Sequence, residues 1–186
     1  MSIDNYEKFL TTLNNDLNKI FKYQEEYIFC KEGCSFCCEQ GEYPVSELEF
    51  EYMKLGYEQL SEDTKEVIKK NIQELKNNPQ KMYKCPFLIN KSCCIYKYRA
   101  IVCRTFGIMT ETKDSVKVPF CHQLGLNYSN IYDPKTDKLS MELYEKGNFK
   151  IPLKPFNLEP QEVMNFDLAK ELNLDFGERK RLIDWL

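Results

Sequence analysis

Apolar residues recur every three to four positions over the first part of the chain. They fall at Tyr6, Phe9, Leu10, Leu13, Leu17, Ile20, Phe21, Tyr27 and Ile28. This spacing predicts an amphipathic helix from Asp4 to about Ile28. Asp4, followed by Glu7 three residues later, resembles a capping pair at the start of this helix.

Five further segments carry helical patterns or helix-end signals. Ser46 and Glu49 have the spacing of a capping box, and Pro160 suits the first position of a helix. Gly107 suits a C-terminal cap, because glycine adopts the left-handed backbone that often ends a helix. The predicted helices lie at about 46–60, 61–77, 95–106, 159–172 and 182–186.

Little β structure is predicted between these helices. Residues 116–119 read as a short strand, and residues 133–138, which contain proline and two aspartates, read as a turn. The sequence contains no internal repeat. It therefore predicts a mainly α protein with minor β structure.

The cysteines are confined to the middle of the chain. All nine lie between residues 30 and 121: Cys30, Cys34, Cys37, Cys38, Cys85, Cys93, Cys94, Cys103 and Cys121. A buried free cysteine packs as a small hydrophobe, and hydrophobes are not confined to one block of a chain. An odd number of thiols cannot all pair in disulfides within one chain. The clustering therefore favours a thiolate-bound metal or an iron–sulfur cluster, with redox-active thiols as the alternative.

Composition restricts the setting and the partners. The first residues do not form a secretory signal, and no stretch approaches the roughly 18 apolar residues of a membrane span. We therefore expect a cytoplasmic protein with no membrane partner, in a reduced compartment where disulfides are rare. The formal net charge of −3 disfavours nucleic acid as a partner. The two basic runs, at 69–70 and 179–181, are too short to change that view.

The 186 residues are predicted to form a single domain, 1–186. Its parts are an N-terminal helix at 1–29, a cysteine-cluster core at 30–121 and a C-terminal extension at 122–186. A chain of this length buries about 70% of its unfolded surface, so a metal is not needed merely to make it fold. The predicted architecture is a small helical domain whose cysteine-bearing loops surround a metal or iron–sulfur centre.

The spacing of the first cysteines suggests how they bind. Cys34 and Cys37 form a CxxC pair, whose two sulfurs can reach one metal ion. Cys37 and Cys38 are adjacent, and neighbouring side chains tend to point apart. We therefore expect them to serve different irons of a cluster, or two separate centres.

Four other side chains near the cysteines are candidates for the site. Tyr96 and Arg99 share a face with Cys103 on the predicted helix, and Arg104 comes next in sequence. A guanidinium near thiolates would lower their pKa and donate hydrogen bonds to sulfur. The alternative is that Tyr96 is a core aromatic and both arginines are surface charges. His122, the single histidine, is either a ligand or proton donor, or a surface residue.

The ordered motifs resemble a known family over about residues 30–121. They are Cys30-x3-Cys34-x2-Cys37-Cys38, Cys85-Pro-Phe-Leu, Cys93-Cys-Ile-Tyr-Lys-Tyr-Arg99, Cys103-Arg-Thr-Phe106 and Cys121. The set resembles the CxxCxxCC zinc- or iron-chelating family, the YkgJ-like cysteine-cluster proteins, which is similar to the cysteine-rich part of flagellin lysine N-methylases. The resemblance implies eight metal ligands: Cys30, Cys34, Cys37, Cys38, Cys85, Cys93, Cys103 and Cys121. Cys94 is extra to the pattern, so Cys93 rather than Cys94 is the predicted ligand.

Three functions follow as hypotheses, and whether the protein is an enzyme stays open. The first is an iron–sulfur or iron-binding protein, which the resemblance links to protein methylation and to a protein substrate or partner. The second is a structural zinc protein, an interaction module with two four-cysteine sites. The third is a radical S-adenosylmethionine enzyme, because residues 30–37 match the three-cysteine spacing of that superfamily. Such enzymes need a partial α/β barrel, for which this chain leaves little room.

Overall fold

The computed structural model describes residues 2–30, 33–112, 115–136 and 138–186. Within these residues the chain forms nine α-helices, which confirms the prediction of a mainly α protein. None of these helices is both long and apolar enough to cross a bilayer. The helices are α1 (Ile3–Tyr23), α2 (Phe36–Glu39), α3 (Glu47–Glu58), α4 (Glu62–Asn77), α5 (Ile101–Thr105), α6 (Met141–Gly147), α7 (Pro160–Met164), α8 (Asp167–Glu171) and α9 (Leu182–Trp185).

The strands of the described residues are short and pair only in antiparallel twos. Three pairs are local, whereas β1 pairs with β8 from the far end of the chain. The strands are β1 (Pro44–Ser46), β2 (Leu88–Ile89), β3 (Ser92–Cys93), β4 (Thr110–Glu111), β5 (Val116–Lys117), β6 (Tyr132–Asp133), β7 (Lys138–Leu139) and β8 (Arg179–Arg181). The predicted strand near 116–119 is confirmed as β5.

The first helix is shorter than its hydrophobic pattern predicts. The Ser2 hydroxyl accepts a first-turn N–H at 3.3 Å, so Ser2 is the N-cap, and the predicted capping pair of Asp4 and Glu7 is wrong. α1 ends at Tyr23 rather than Ile28. The apolar residues beyond its end belong to the chain that leaves the helix, where they continue the pattern without continuing the helix.

α3 and α4 begin where the sequence predicts. Ser46 and Glu49 form the expected capping box: the Ser46 N–H donates to Glu49 Oε2 at 2.8 Å, and the Glu49 N–H donates to Ser46 Oγ at 3.3 Å. Ser61 caps α4, which ends at Asn77. These ends are local in sequence, which is why the pattern predicts them well.

The predicted helix at 95–106 is interrupted. A 3₁₀ turn at Tyr96–Tyr98 is followed by two extended residues, and α5 begins only at Ile101. The Ile101 N–H donates to Glu49 Oε1 at 2.7 Å, so a carboxylate from α3 caps α5 and fixes its start. The predicted continuous helical face that carries Cys103 is therefore wrong.

The C-terminal part differs from prediction in one place. The predicted helix at 159–172 is divided into α7 and α8, because the backbone of Phe166, with ψ of 149°, is not helical. Pro160 is at the first helical position, as predicted. The predicted turn at 133–138 connects β6 to β7, although Asp137 lies outside the described residues. The predicted terminal helix is α9.

Buried side chains form three apolar clusters. The first packs α1 against α3, α5 and the α7–α8 region, and the third lies around Tyr27 and Tyr128. The second lies beside the cysteines and includes buried Cys85. β8 and α9 cover this second cluster: the Leu182 N–H donates to the Tyr43 carbonyl at 2.9 Å, and the Trp185 indole N–H donates to the Val45 carbonyl at 2.9 Å.

Candidate metal centre

Most of the thiols line one open cavity of about 940 Å³. Seven of the nine cysteines contribute to its wall, from four separate segments of the chain. These seven are Cys30, Cys34, Cys37, Cys38, Cys85, Cys93 and Cys103. All seven are predicted ligands. The eighth predicted ligand, Cys121, is buried and is not part of the lining.

Backbone hydrogen bonds hold the first two cysteine segments together. The Cys85 N–H donates to the Cys38 carbonyl at 2.8 Å. Gly41 and Tyr83 each donate an N–H to the carbonyl of the other at 3.0 Å. Cys85 is therefore placed beside α2 by main-chain pairing across a long stretch of sequence.

Electrostatic interactions connect three thiols, Cys30, Cys34 and Cys121, hereafter the Cys30 group. Burial raises the pKa of Cys30, and the charge of Cys34 adds to this. Burial raises the pKa of Cys121 to about 11, and the charge of Cys30 adds to this. Charge interactions thus connect Cys121 to the cavity thiols, although Cys121 itself does not line the cavity.

Asn127 organises the Cys30 group. Its side-chain oxygen accepts the N–H groups of Phe29 and Cys30, each at 2.9 Å. Its amide nitrogen donates to the Gly107 carbonyl at 2.7 Å and lies 3.5 Å from Cys30 Sγ. Sequence reasoning missed this fully buried residue. A single asparagine in a polar loop carries no pattern that marks it.

The other five cavity thiols form the Cys85 group: Cys37, Cys38, Cys85, Cys93 and Cys103. Burial is the main cause that raises the pKa of Cys85 and Cys93, and it raises the pKa of Cys103 to about 12. Most of these thiols are therefore protonated at neutral pH until a metal displaces the proton.

The adjacent pair Cys37 and Cys38 behaves differently. A hydrogen bond between the two thiols lowers the pKa of Cys37 and raises that of Cys38, and the charge of Arg99 also favours the Cys37 thiolate. Their sulfurs lie 3.9 Å apart. Two thiolates on one tetrahedral zinc ion would lie roughly 3.8 Å apart, given bonds of about 2.3 Å. The expectation that the two side chains point apart is therefore wrong for this structure.

The donor chemistry fits zinc or iron. Thiolates are soft ligands that suit zinc, iron and iron–sulfur clusters. No aspartate or glutamate of the described residues lines the cavity, which disfavours calcium or magnesium. Among those same residues, no three Cys, His, Asp or Glu side chains are close enough together to hold one ion. The thiols share a cavity, and coordination requires their side chains to rotate toward one another.

Arg99 and Tyr96 lie at the edge of this cavity. The Arg99 guanidinium stacks on the Tyr96 ring at 3.9 Å and donates to the Tyr96 carbonyl at 2.9 Å. Its charge favours the thiolate forms of Cys37, Cys93 and Cys103. Tyr96 is 63% exposed, so the alternative of a core aromatic is wrong.

Arg104 is buried, so the alternative of a surface charge is wrong for it. Its Nε donates to the Arg99 carbonyl at 2.9 Å, and its terminal nitrogens donate to the Lys97 carbonyl at 2.7 Å and to Asn14 Oδ1 at 3.0 Å. These bonds hold the 97–99 segment against α1. That Arg104 favours the thiolate forms of the cysteines stays a prediction. Its contacts support an indirect effect, in which Arg104 fixes the position of Arg99.

Two remaining side chains, Cys94 and His122, are not part of the cavity lining. Cys94 Sγ donates to the Phe87 carbonyl at 3.1 Å, whereas Cys93 lines the cavity. This arrangement agrees with Cys93 as the ligand, which stays a prediction. His122 is buried rather than at the surface, with Nδ1 2.9 Å from the Pro119 carbonyl.

A mainly helical chain that gathers thiols from four segments around one cavity defines a cysteine-rich metal-binding protein. Residues 29–122 match the model of the CxxCxxCC family, described as "Putative zinc- or iron-chelating domain". The match covers half of the chain, and the chain belongs to this family. No curated protein and no solved structure matches the chain.

The family assignment confirms the resemblance seen in the sequence and the expectation of zinc or iron. The similarity to flagellin lysine N-methylases is not part of this finding. The radical S-adenosylmethionine alternative lacks its scaffold, because the strands of the described residues pair only in twos and form no barrel.

Proposed function

We propose that the protein binds iron, as an iron–sulfur cluster or as iron ions, through the thiolates of the cavity. The proposed ligands are Cys30, Cys34, Cys37, Cys38, Cys85, Cys93, Cys103 and Cys121. The observation that carries the proposal is the convergence of seven thiols from four segments on one open cavity. Iron or an iron–sulfur cluster would supply one-electron redox chemistry there.

Two features favour iron over structural zinc. Structural zinc sites fill all four coordination positions with protein ligands, whereas the Cys85 group alone has five thiols. The cavity is open, and exposed Tyr96 lies at its edge with Arg99. An open, thiol-rich cavity suits a centre that exchanges electrons or contacts a partner better than one that only fastens the fold.

One observation supports the zinc alternative. The charge of Cys37 acts on Cys30 of one thiol group as well as on Cys103 of the other. If Cys37 turned toward the Cys30 group, each group would have four thiols, the number that a closed all-cysteine zinc site needs. Two zinc ions would then be bound in a structural interaction module.

Metal analysis after anaerobic purification separates these two functions. A brown protein that contains iron and acid-labile sulfide, with broad visible absorption, is the expected result. A colourless protein with about two zinc ions per chain would establish the zinc alternative. The measurement should be repeated after reconstitution with each metal, because the cell's metal supply affects what is first isolated.

The proposal includes a cytoplasmic location and a protein partner. Free thiols in this number suit a reducing compartment. The resemblance to the cysteine-rich part of flagellin lysine N-methylases supports a link to protein methylation. Incubating the metal-loaded protein with cell extract and labelled S-adenosylmethionine should then raise lysine methylation of a protein in that extract. Labelling no greater than with the metal-free protein would count against the methylation link.

A further inference from the structure

Tyr43 has a buried hydroxyl without a hydrogen-bond partner. The side chain lines the thiol cavity and is only 6% exposed. Among the described residues, no group donates to its Oη or accepts from it. Buried hydroxyls normally have a partner, because leaving one unpaired forfeits its interaction with water. An unpaired hydroxyl beside a ligand cavity therefore points to a partner that belongs to the occupied site.

The chain adopts an unfavourable backbone to place this ring. Tyr43 has a φ of +48°, in the left-handed region that bulky residues rarely adopt. Its ring lies over Gly41, where a Cβ would come within 2.6 Å of the ring and 3.0 Å of Oη. Only glycine at position 41 leaves room for the ring. Local strain of this kind persists where the surrounding structure holds it, often at functional sites.

The neighbouring Tyr83 shows that the missing partner is specific to Tyr43. The two rings meet edge to face, with centroids 5.3 Å apart. The Tyr83 hydroxyl donates to the Glu42 carbonyl at 3.2 Å and accepts the Ile183 N–H at 3.1 Å. Two adjacent buried tyrosines thus differ: the Tyr83 hydroxyl is paired within the protein, whereas Tyr43 lines the thiol cavity and its hydroxyl has no partner among the described residues.

The Tyr43 hydroxyl can act as a hydrogen-bond donor. A tyrosine hydroxyl ordinarily has a pKa of about 10 and is protonated at neutral pH. A protonated hydroxyl can donate a hydrogen bond. A protonated thiol is a weak acceptor, whereas a metal-bound thiolate is negatively charged and accepts more strongly. The hydroxyl would therefore gain its partner when the thiols bind a metal.

We propose that Tyr43 is a positioning residue of the metal centre, whose hydroxyl donates a hydrogen bond to a metal-bound thiolate of the Cys85 group. This inference rests on the proposed function, because it needs a metal on these thiols, but not on whether that metal is iron or zinc. The hydrogen bond would orient one ligand and reduce the electron donation from its sulfur. Both effects act on metal affinity and on the electronic spectrum of the centre.

The test compares Tyr43→Phe with Tyr6→Phe in the full chain. Tyr6 also has a buried hydroxyl without a partner among the described residues, but it lies in the first apolar cluster rather than in the cavity lining. Under anaerobic conditions, each protein is titrated with Co²⁺, which adopts zinc-like thiolate sites and has sulfur-to-metal charge-transfer bands. Tyr43→Phe should bind Co²⁺ about tenfold more weakly, with its charge-transfer band at lower energy. Tyr6→Phe should match the parent in both.

Thermal melting of the metal-free proteins checks that folding is intact. Both phenylalanine variants should melt at or above the parent temperature, since each removes an unpaired buried hydroxyl. Gly41→Ala provides a second variant, because its Cβ would displace the Tyr43 ring; it should weaken Co²⁺ binding and move the band in the same direction. Parent-like affinity and band energy in Tyr43→Phe would overturn the role of Tyr43 alone. A parent protein that binds neither Co²⁺ nor iron would overturn the proposed function itself.

Discussion

Replacing Glu49 by glutamine should destabilise the protein and loosen the helix that carries Cys103. Glu49 is fully buried, and its two carboxylate oxygens accept N–H groups from two different helix starts. Oε2 accepts the Ser46 N–H at 2.8 Å before α3, and Oε1 accepts the Ile101 N–H at 2.7 Å at the start of α5. One carboxylate thus fixes the position of α5 relative to α3.

The size of the effect follows from these two bonds. A hydrogen bond to a charged group contributes about 1.5–3 kcal/mol. Glutamine keeps one acceptor oxygen but presents an NH₂ group to the other N–H, so one bond is lost and a buried donor is left unpaired. Glutamine also removes the cost of burying a charge, which partly offsets the loss. We expect a decrease of about 1–3 kcal/mol in the free energy of unfolding, out of a total of about 5–15 kcal/mol.

The pH dependence of this difference has a definite sign. Burial raises the pKa of Glu49 in the folded protein. The folded state therefore binds the Glu49 proton more tightly than the unfolded state does. Protonation of Glu49 thus stabilises the fold at low pH, and this contribution is lost as the pH rises through the raised pKa. The stability difference between the parent and Glu49→Gln should accordingly be larger at about pH 5 than at about pH 8.

Urea unfolding of the metal-free proteins under reducing conditions measures both effects. Glu51→Gln on the same helix is the matched control, since Glu51 is partly exposed and pairs with Lys54 at 2.7 Å. Its effect should stay below about 0.5 kcal/mol. Glu49→Gln should also lose bound metal to a chelator faster than the control. If Glu49→Gln and Glu51→Gln unfold at the same urea concentration, the double capping role assigned to Glu49 is wrong.

Three further predictions concern the thiols and their surroundings. Cys93→Ser should lower the metal content while Cys94→Ser should not, because the Cys94 thiol is hydrogen-bonded to the Phe87 carbonyl. Equal metal loss in both variants would refute the assignment of Cys93 as the ligand. Arg104→Ala should lower the free energy of unfolding by about 2–4 kcal/mol and speed metal loss to a chelator, and Arg104→Lys should recover only part of both effects. If Arg104→Ala retains its metal as long as the parent does, Arg104 does not act on the centre. Metal affinity, measured by competition with a chelator, should rise between about pH 6 and pH 9. Burial raises the pKa of most ligand thiols, and each thiol must lose its proton to bind the metal. A metal affinity that does not change with pH would contradict the raised pKa of these thiols.

The elements that the sequence predicts well are those set by neighbours along the chain. Ser46 and Glu49 are three residues apart, and Ser61 directly precedes α4, so both helix starts follow from local capping. The start of α5 depends instead on the bond between Glu49 and Ile101, which are 52 residues apart. The helical pattern of 95–106 contains no sign of that bond, and it therefore predicts one continuous helix where the structure has two pieces.

The same distinction applies to the candidate site. Seven of the predicted ligands could be grouped from the cysteine motifs alone, because thiols in a fixed order are chemically distinctive. Asn127 could not be identified this way, since its bonds to Phe29 and Cys30 connect residues 98 and 97 positions apart. Tyr43 could not be either, because what marks it is a left-handed backbone and a hydroxyl without a hydrogen-bond partner among the described residues.

Buried polar side chains hold two of the cysteine segments and the turn that carries Arg99. Asn127 fixes the backbone at Cys30, Glu49 fixes the start of the helix with Cys103, and Arg104 fixes the turn that carries Arg99. These bonds lie within the protein. We therefore expect the frame around the thiols to stay folded when the metal is removed, unlike small zinc domains that fold only with their metal. A centre held in such a frame could change its metal, oxidation state or partner while the surrounding fold persists.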